Sequence, residues 1–364
     1  MKGKTVVRLG LVLGILLVGL LGLEGVTRYG LFGMVEPGLG ESPDRIASFR
    51  EFAAGRDTGI FSGRPFVGFG LNSDKPGINS LGYRDIEFPL ERTEGVPRIA
   101  CLGASTTEGS MAEEGGSFPL HLRSLLKSEL GVVAEVLNFG VSGWTSTESL
   151  VNYNLVVQDY EPDLVIIHHS INDVRPRLWP DYKTDYSHYR KTWSAIEFGA
   201  FDRFMVEHSD AYASHLLGTL ADWSLGARVN VPASSLVDHE WGPPAPETAR
   251  GFVRNLRTLV RLVRANGGVP LLTTMPLAAQ SPFYQNSFGE LIKAGVIEHN
   301  QLIRELAAEE DVLLLDMDEI WRSEPKIYSG HFIDHVHVTS HGNLLKARDI
   351  LQLLERGDVP SVLK

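Results

Sequence analysis

A short apolar run near residue 100 reads Arg98-Ile99-Ala100-Cys101-Leu102-Gly103-Ala104-Ser105 and ends in small residues. An apolar run of this length, closed by glycine, is typical of a buried strand in a parallel sheet. In open α/β sheets, ligands bind beyond the carboxyl ends of the strands. Ser105, which directly follows the run, is therefore a candidate functional residue.

The rest of the chain alternates between strand-like and helix-like patterns. Four more apolar runs predict strands at residues 132–139, 164–168, 269–273 and 312–315. Apolar residues at helical spacing predict helices at residues 118–130, 146–160, 247–266, 290–308 and 341–354. Strands that alternate with helices form a parallel sheet covered on both faces. We therefore predict an α/β fold, a three-layer sandwich around a five-stranded, mainly parallel sheet.

Small and polar residues follow the first three predicted strands and recur near the end of the chain. Their blocks read Gly103-Ala104-Ser105, Asn138-Phe139-Gly140-Val141-Ser142-Gly143, Ser170-Ile171-Asn172-Asp173 and Asp334-His335-Val336-His337. Each block alone is weak evidence, because a serine after a strand is usually a cap and Asn-Asp is usually a turn. Their joint placement at strand ends predicts one catalytic site.

These blocks, in this order, resemble the SGNH or GDSL-like family of serine hydrolases. The resemblance covers about residues 97 to 355, apart from an insertion, and implies a flavodoxin-like SGNH hydrolase fold. It implies that Ser105 is the nucleophile and that Asp334 and His337 form the D-x-x-H block. It also implies an oxyanion hole made of the backbone N–H of Ser105, Gly143 and Asn172. Where the family usually has G-D-S, this chain has Ala104 before the serine, which we expect to alter local hydrogen bonding without abolishing chemistry.

The chemistry of these residue types agrees with the resemblance. A serine hydroxyl needs a neighbouring base, and an imidazole titrates near neutral pH. The three-residue spacing between Asp334 and His337 lets one turn present both side chains, whereas the adjacent His335 points elsewhere. Histidines crowd this stretch, but no H-E-x-x-H or comparable ligand spacing is present. The sequence thus predicts neither a metal nor a cofactor.

The N-terminus carries the pattern of a signal anchor at residues 1–23. Lys2, Lys4 and Arg8 precede an uncharged apolar run, residues 9–23, without an A-x-A-like cleavage site after it. The basic end stays in the cytoplasm by the positive-inside rule. We expect a transmembrane helix and a single-pass protein whose catalytic domain is periplasmic or extracellular.

Three further regions follow the predicted anchor. Residues 24–95 read as a stalk and lead-in, and Asn79-Ser80-Leu81-Gly82-Tyr83-Arg84 resembles the segment before this domain in many membrane-anchored bacterial members. Residues 96–364 read as the hydrolase domain, interrupted by an aromatic-rich insertion at about 175–246. Helix-like pieces in the insertion suggest a lid or substrate wall; the alternative is a structural excursion without a ligand role.

Composition narrows the classes of function. The net charge is −11 and no long basic run is present, which argues against a nucleic-acid partner. The leading interpretation is a serine hydrolase that cleaves acyl esters, such as short-chain acetyl esters, on a polysaccharide. One alternative is an O-acyltransferase that passes the acyl group to a cell-surface glycan. The other is a non-catalytic, membrane-anchored binding protein that kept the fold.

Overall fold

The computed structural model describes residues 18, 19, 22, 43–54, 59–112, 116–191, 198–219 and 240–356. The chain divides into two compact units, residues 1–61 with 194–228, and residues 62–193 with 229–364. The predicted anchor, residues 1–23, lies outside the described residues except at three positions. Within the described ranges, no helix is long and apolar enough to cross a membrane.

The larger unit is built on a parallel sheet. Two short paired strands, β1 (Phe61–Arg64) and β2 (Gly68–Leu71), come first in the chain. The strands of the parallel sheet are β3 (Arg98–Gly103), β4 (Glu135–Gly140), β5 (Leu164–His168), β6 (Val269–Thr273) and β7 (Leu313–Leu315). They lie in the order β4-β3-β5-β6-β7, and every neighbouring pair is parallel. The predicted α/β fold with a five-stranded parallel sheet is confirmed for the described part of the chain.

Helices cover the sheet on both faces. In chain order, the helices are α1 (Pro43–Ala53), α2 (Ser105–Glu108), α3 (Phe118–Glu129), α4 (Ser146–Leu155), α5 (Ile171–Leu178), α6 (Ala200–His208), α7 (Asp210–Thr219), α8 (Arg250–Ala265), α9 (Ser287–Glu309), α10 (Met317–Ser323), α11 (Pro325–Tyr328) and α12 (Ser340–Glu355). Ile99 and Cys101 share one core with the apolar residues of α3 and α12. Because side chains alternate along a strand, Ala100 and Leu102 face the other side, where α4 and α8 pack together.

Among the strands of the sheet, only the start of the second differs from the prediction by more than one residue. The second strand of the sheet begins at Glu135, whereas the apolar run begins at residue 132. The N–H of Val132 donates to the carbonyl of Leu126 at 3.0 Å, so this residue closes α3 and cannot belong to the sheet. An apolar residue that finishes a helix looks the same in sequence as one that starts a strand.

Part of the predicted lead-in packs within the larger unit. Phe69, Tyr83 and Phe88 are buried, and the rings of Tyr83 and Phe88 lie 5.0 and 5.4 Å from the ring of Phe139 on β4. Aromatic pairs in this edge-to-face arrangement add packing energy beyond the area they bury. Residues 62–95 therefore cover the edge of the sheet beside the predicted catalytic loops.

The smaller unit is helical. Helix α1 comes from the predicted lead-in, and α6 and α7 come from the predicted insertion. Their shared core contains Ile46, Phe49, Val206 and Ala213. Arg50 forms an ion pair with Asp210, and its Nε donates to the carbonyl of Val206 at 2.8 Å. Two segments far apart in the chain thus form one unit, while a lid or substrate-wall role for the insertion stays a prediction.

Candidate active site

Three of the predicted residues meet at the carboxyl edge of the sheet. The Oγ of Ser105 lies 2.7 Å from the Nε2 of His337, and the Nδ1 of His337 lies 2.7 Å from the Oδ2 of Asp334. Ser105 begins α2 directly after β3, whereas Asp334 and His337 lie in the loop before α12. The two hydrogen bonds form a continuous chain from hydroxyl to carboxylate.

The loop before α12 is shaped to present both groups. The Oδ1 of Asp334 accepts the backbone N–H groups of Val336 and His337 at 2.8 and 2.7 Å. Burial acts to raise the pKa of Asp334, but the hydrogen bonds from His337 and Val336 outweigh it, and the pKa lies well below its usual range. Asp334 is therefore a carboxylate at neutral pH, and it favours the tautomer of His337 that carries its proton on Nδ1.

Two glycines let α2 approach the sheet closely. A Cβ on Gly103 would lie 2.0 Å from the Oγ1 of Thr107 and 2.9 Å from the carbonyl oxygen of His168. A Cβ on Gly140 would lie 2.4 Å from the backbone nitrogen of Glu108. Larger residues at either position would push away the helix that carries Ser105.

The two other predicted oxyanion donors lie on the neighbouring strand ends. Gly143 follows β4 with a φ of +81°, in the left-handed region that favours glycine. Asn172 follows β5, and its Nδ2 donates to the carbonyl of Trp144 at 2.9 Å. An amide nitrogen carries two N–H donors, so one remains for a ligand. The backbone N–H of Gly143 donates to no acceptor among the described residues.

Glu108 is a site residue that the sequence analysis missed. Its Oε2 accepts the backbone N–H of Ser142 at 2.6 Å, and its Oε1 accepts from the Nε of Arg84 at 3.3 Å. The carboxyl is buried, and burial raises its pKa. Glu108 lies three positions after Ser105 on α2, and its carboxyl ties this helix to the loop that follows β4.

Arg190 is a second missed residue, and it comes from the predicted insertion. Its Nη2 donates to the carbonyl of Gly143 at 2.6 Å, and its Nε donates to Glu148 at 2.8 Å. Glu148 in turn accepts the backbone N–H of Thr145 at 2.6 Å. The pair holds the loop of Gly143 from both ends. No sequence pattern links these residues, because Arg190 is 47 positions away from Gly143.

Asp173, next to Asn172, holds the end of the same loop. It is fully buried and accepts from the backbone N–H of Ser146 at 3.0 Å and from its hydroxyl at 2.5 Å. The hydroxyl of Tyr186 donates to it at 3.1 Å. Burial raises the pKa of Asp173 to about 7. The sequence analysis predicted Asn172 as a site residue but did not predict a role for Asp173.

The other histidines near the site have different surroundings. The ring of His335 stacks on Phe283 at 3.9 Å, and its Nδ1 lies 3.8 Å from Asp334. His168 is buried, with its Nδ1 2.7 Å from the hydroxyl of Thr273. Over the residues that the structure describes, no group of three or more His, Cys, Asp or Glu side chains could hold a metal ion.

The GDSL-like Lipase/Acylhydrolase family matches residues 101–345, a span that contains Ser105, Gly143, Asn172, Asp334 and His337. The chain belongs to this family. It is a carboxylic ester hydrolase, which removes the non-catalytic binding protein from the alternatives. The predicted SGNH/GDSL-like membership is confirmed.

The chain has only distant similarity to individual solved structures. No curated protein matches the chain. The chain is similar to a catalytic mutant of Axe2, an acetylxylan esterase from Geobacillus stearothermophilus, with 17% identity, a TM-score of 0.43, and coverage of 71% of this chain and 94% of that one. The acetyl xylan esterase AlAXEase is 16% identical, with a TM-score of 0.42 and coverage of 70% of this chain and 98% of that one. A GDSL-like lipase from Bacteroides thetaiotaomicron is 17% identical, with a TM-score of 0.38 and coverage of 71% of this chain and 88% of that one. At TM-scores below 0.5, these similarities do not indicate a substrate.

We predict that Arg190→Met lowers kcat for p-nitrophenyl acetate by about tenfold, with little change in KM. Displacing an oxyanion donor costs less than removing it, and removal costs about 10²–10³ in kcat. The measurement is steady-state kinetics on the purified protein, with circular dichroism to confirm folding.

Arg257→Met is the matched control, because Arg257 on α8 also pairs with glutamates but is partly exposed, and its partners are Glu309 and Glu310 at the end of α9. Its kcat should equal that of the wild type. A folded Arg190→Met protein with wild-type kcat would show that this guanidinium does not position Gly143.

Proposed function

We propose that the protein hydrolyses acyl esters through a triad of Ser105, His337 and Asp334 and an acyl-enzyme intermediate. The observation that supports this most directly is the pair of hydrogen bonds, each 2.7 Å long, that joins the three side chains. In this arrangement the Oγ–H of Ser105 donates to the Nε2 of His337. A base at hydrogen-bond distance is what a serine nucleophile needs.

In the first half of the reaction, Ser105 Oγ attacks the ester carbonyl while His337 Nε2 takes the hydroxyl proton. Asp334 stabilises the imidazolium that forms. His337 then returns the proton to the leaving alcohol as the carbon–oxygen bond of the ester breaks. The acyl group remains on Ser105. In the second half, His337 takes a proton from a water molecule that attacks the acyl carbon, the bond from this carbon to Ser105 Oγ breaks, and His337 returns the proton to Oγ as the carboxylic acid leaves.

The oxyanion that forms in each half needs donors placed in advance. We assign this role to the backbone N–H groups of Ser105 and Gly143 and to the free N–H of Asn172. Each such donor is worth about 3–4 kcal/mol in the transition state. The side chains of Glu108, Arg190 and Asp173 support the assignment, because they bind backbone groups of the loop that carries Gly143.

The proposed substrates are short acyl esters, such as acetyl esters, carried by a polysaccharide. The support for acyl esters is membership of the GDSL-like Lipase/Acylhydrolase family. Acetylated xylan is a suitable polymer to assay, alongside p-nitrophenyl esters of increasing chain length. Release of free acetate identifies hydrolysis, whereas acetate recovered on an added sugar acceptor identifies transfer.

Ser105→Ala tests the nucleophile. We expect kcat for p-nitrophenyl acetate to fall by about a thousandfold or more, as for other triad serines. A fluorophosphonate should label the wild-type protein with one equivalent on Ser105, seen by mass spectrometry, and should not label the variant. Activity near the wild-type level in a folded Ser105→Ala protein would refute the assignment.

Replacement of each histidine beside Asp334 tests the base. His337→Ala should cost as much activity as Ser105→Ala, and the double variant should be little worse, because triad members act as a unit. His335→Ala is the matched control and should keep most of the activity, since its ring stacks on Phe283. Steady-state kinetics on the two single variants show which histidine is the base. If His335→Ala is inactive and His337→Ala is active, His335 is the base and the assignment of His337 is wrong.

We also propose that residues 1–23 tether the protein to a membrane, with the catalytic domain outside the cytoplasm. The support is the basic flank and the apolar run of residues 9–23. The full-length chain should stay in the membrane fraction through alkaline carbonate extraction, and a chain that begins at residue 24 should not. Full-length chain with an intact N-terminus in the soluble cytosolic fraction would contradict the tether.

A further inference from the structure

A cavity of about 380 Å³ lies beside the loop of Gly143 and is not used by the proposed reaction. Its volume is within the range of small-molecule sites, about 300–1,000 Å³. Its walls are mainly apolar and come from β1–β2, the end of β4 and the last turn of α4. The apolar lining residues are Phe66, Val67, Val141, Trp144, Leu155 and Val156.

One residue that lines this cavity carries a buried donor without a partner. Asn152 on α4 lines the cavity and is 3% exposed. The hydroxyl of Tyr83 donates to its Oδ1 at 2.8 Å, which fixes the orientation of the amide. The Nδ2 has no hydrogen-bond partner among the described residues. A buried amide N–H without an acceptor is costly, about 1–3 kcal/mol, so such a group marks a place where a ligand oxygen or a water belongs.

The guanidinium-bearing residue Arg64 also lines this cavity. Arg64 is partly buried, and its Nη2 donates to the carbonyl of Leu71 at 3.3 Å. A Cβ on Gly70 would lie 2.5 Å from its Nε, and a Cβ on Gly82 would lie 1.8 Å from its Nη2, so both glycines make room for the guanidinium. In the described part of the chain, Arg64 forms no ion pair with a carboxylate. No acidic side chain lines the cavity.

We propose that this cavity binds a monocarboxylate with an apolar body, its carboxylate on Asn152 Nδ2 and Arg64 and its hydrocarbon part against Trp144 and Leu155. The unpaired N–H of Asn152 and the positive charge of Arg64, which has no acidic partner at the cavity, together select an anionic head group, and guanidinium groups match the two oxygens of a carboxylate. The apolar walls select a hydrocarbon body. Since Val141 and Trp144 flank Gly143 in sequence, a bound ligand touches the loop of the proposed oxyanion hole. The site itself does not depend on the proposed function.

The test is isothermal titration of the full-length protein with sodium octanoate. Asn152→Asp keeps an acceptor for Tyr83 and replaces the donor with a negative charge, so the Kd should rise about tenfold or more. Asn154→Asp makes the same change at an exposed position on the same helix, and its Kd should equal that of the wild type. Octan-1-ol, which has the same chain without the carboxylate, should bind more weakly than octanoate.

Two further measurements distinguish binding in the cavity from binding in the active site. Carboxylic acids are also products of ester hydrolysis, so the titration is repeated after fluorophosphonate treatment, and octanoate should bind unchanged. Arg64→Met should weaken binding as Asn152→Asp does, and it decides the question if the latter fails to fold. The proposal is overturned if octanoate does not bind, if both cavity variants bind as the wild type does, or if the fluorophosphonate abolishes binding.

Discussion

The register of β3 with its two neighbours aligns three strand ends at one edge of the sheet. Gly103 pairs with Gly140 of β4 on one side and with His168 of β5 on the other. Because the strands are parallel, the segments that follow them leave the sheet at the same level and in the same direction. Ser105, Gly143 and Asn172 are neighbours for this reason, although 67 positions separate the first from the last.

The loop of residues 142–146 is held by charged and amide side chains at successive backbone groups. The partners are Glu108 for Ser142, Arg190 for Gly143, Asn172 for Trp144, Glu148 for Thr145 and Asp173 for Ser146. Burying a charge is costly unless hydrogen bonds replace its hydration, and here the backbone supplies many of those bonds. A loop fixed in this way has little freedom to reorganise, which is what preorganised stabilisation of a developing charge requires.

Segments outside the family blocks complete this arrangement. Arg84 of the lead-in binds Glu108, and Arg190 of the predicted insertion binds Gly143 and Glu148. Tyr83 of the lead-in fixes Asn152, and Trp144 donates its indole N–H to the carbonyl of Phe69 at 3.0 Å. The lead-in residues from 62 onward are thus structural parts of the region around the site, beyond their role as a connection to the N-terminus.

The sequence by itself determined the alternation of strands and helices, because burial on one helix face or in a central strand leaves a local periodic pattern. It also determined which blocks stand at strand ends, and therefore the candidate Ser105, whereas Asp334 and His337 were implied by the resemblance of the last block to the D-x-x-H block of the family. The limits of elements were less certain, as at Val132, because adjacent elements share apolar residues. Only the tertiary structure showed that Glu108 and Arg190 hold the loop of Gly143, and that Asn152, whose Nδ2 has no partner among the described residues, lines a cavity. These contacts join residues far apart in the chain through single hydrogen bonds, and a single long-range hydrogen bond imposes no periodicity on the sequence.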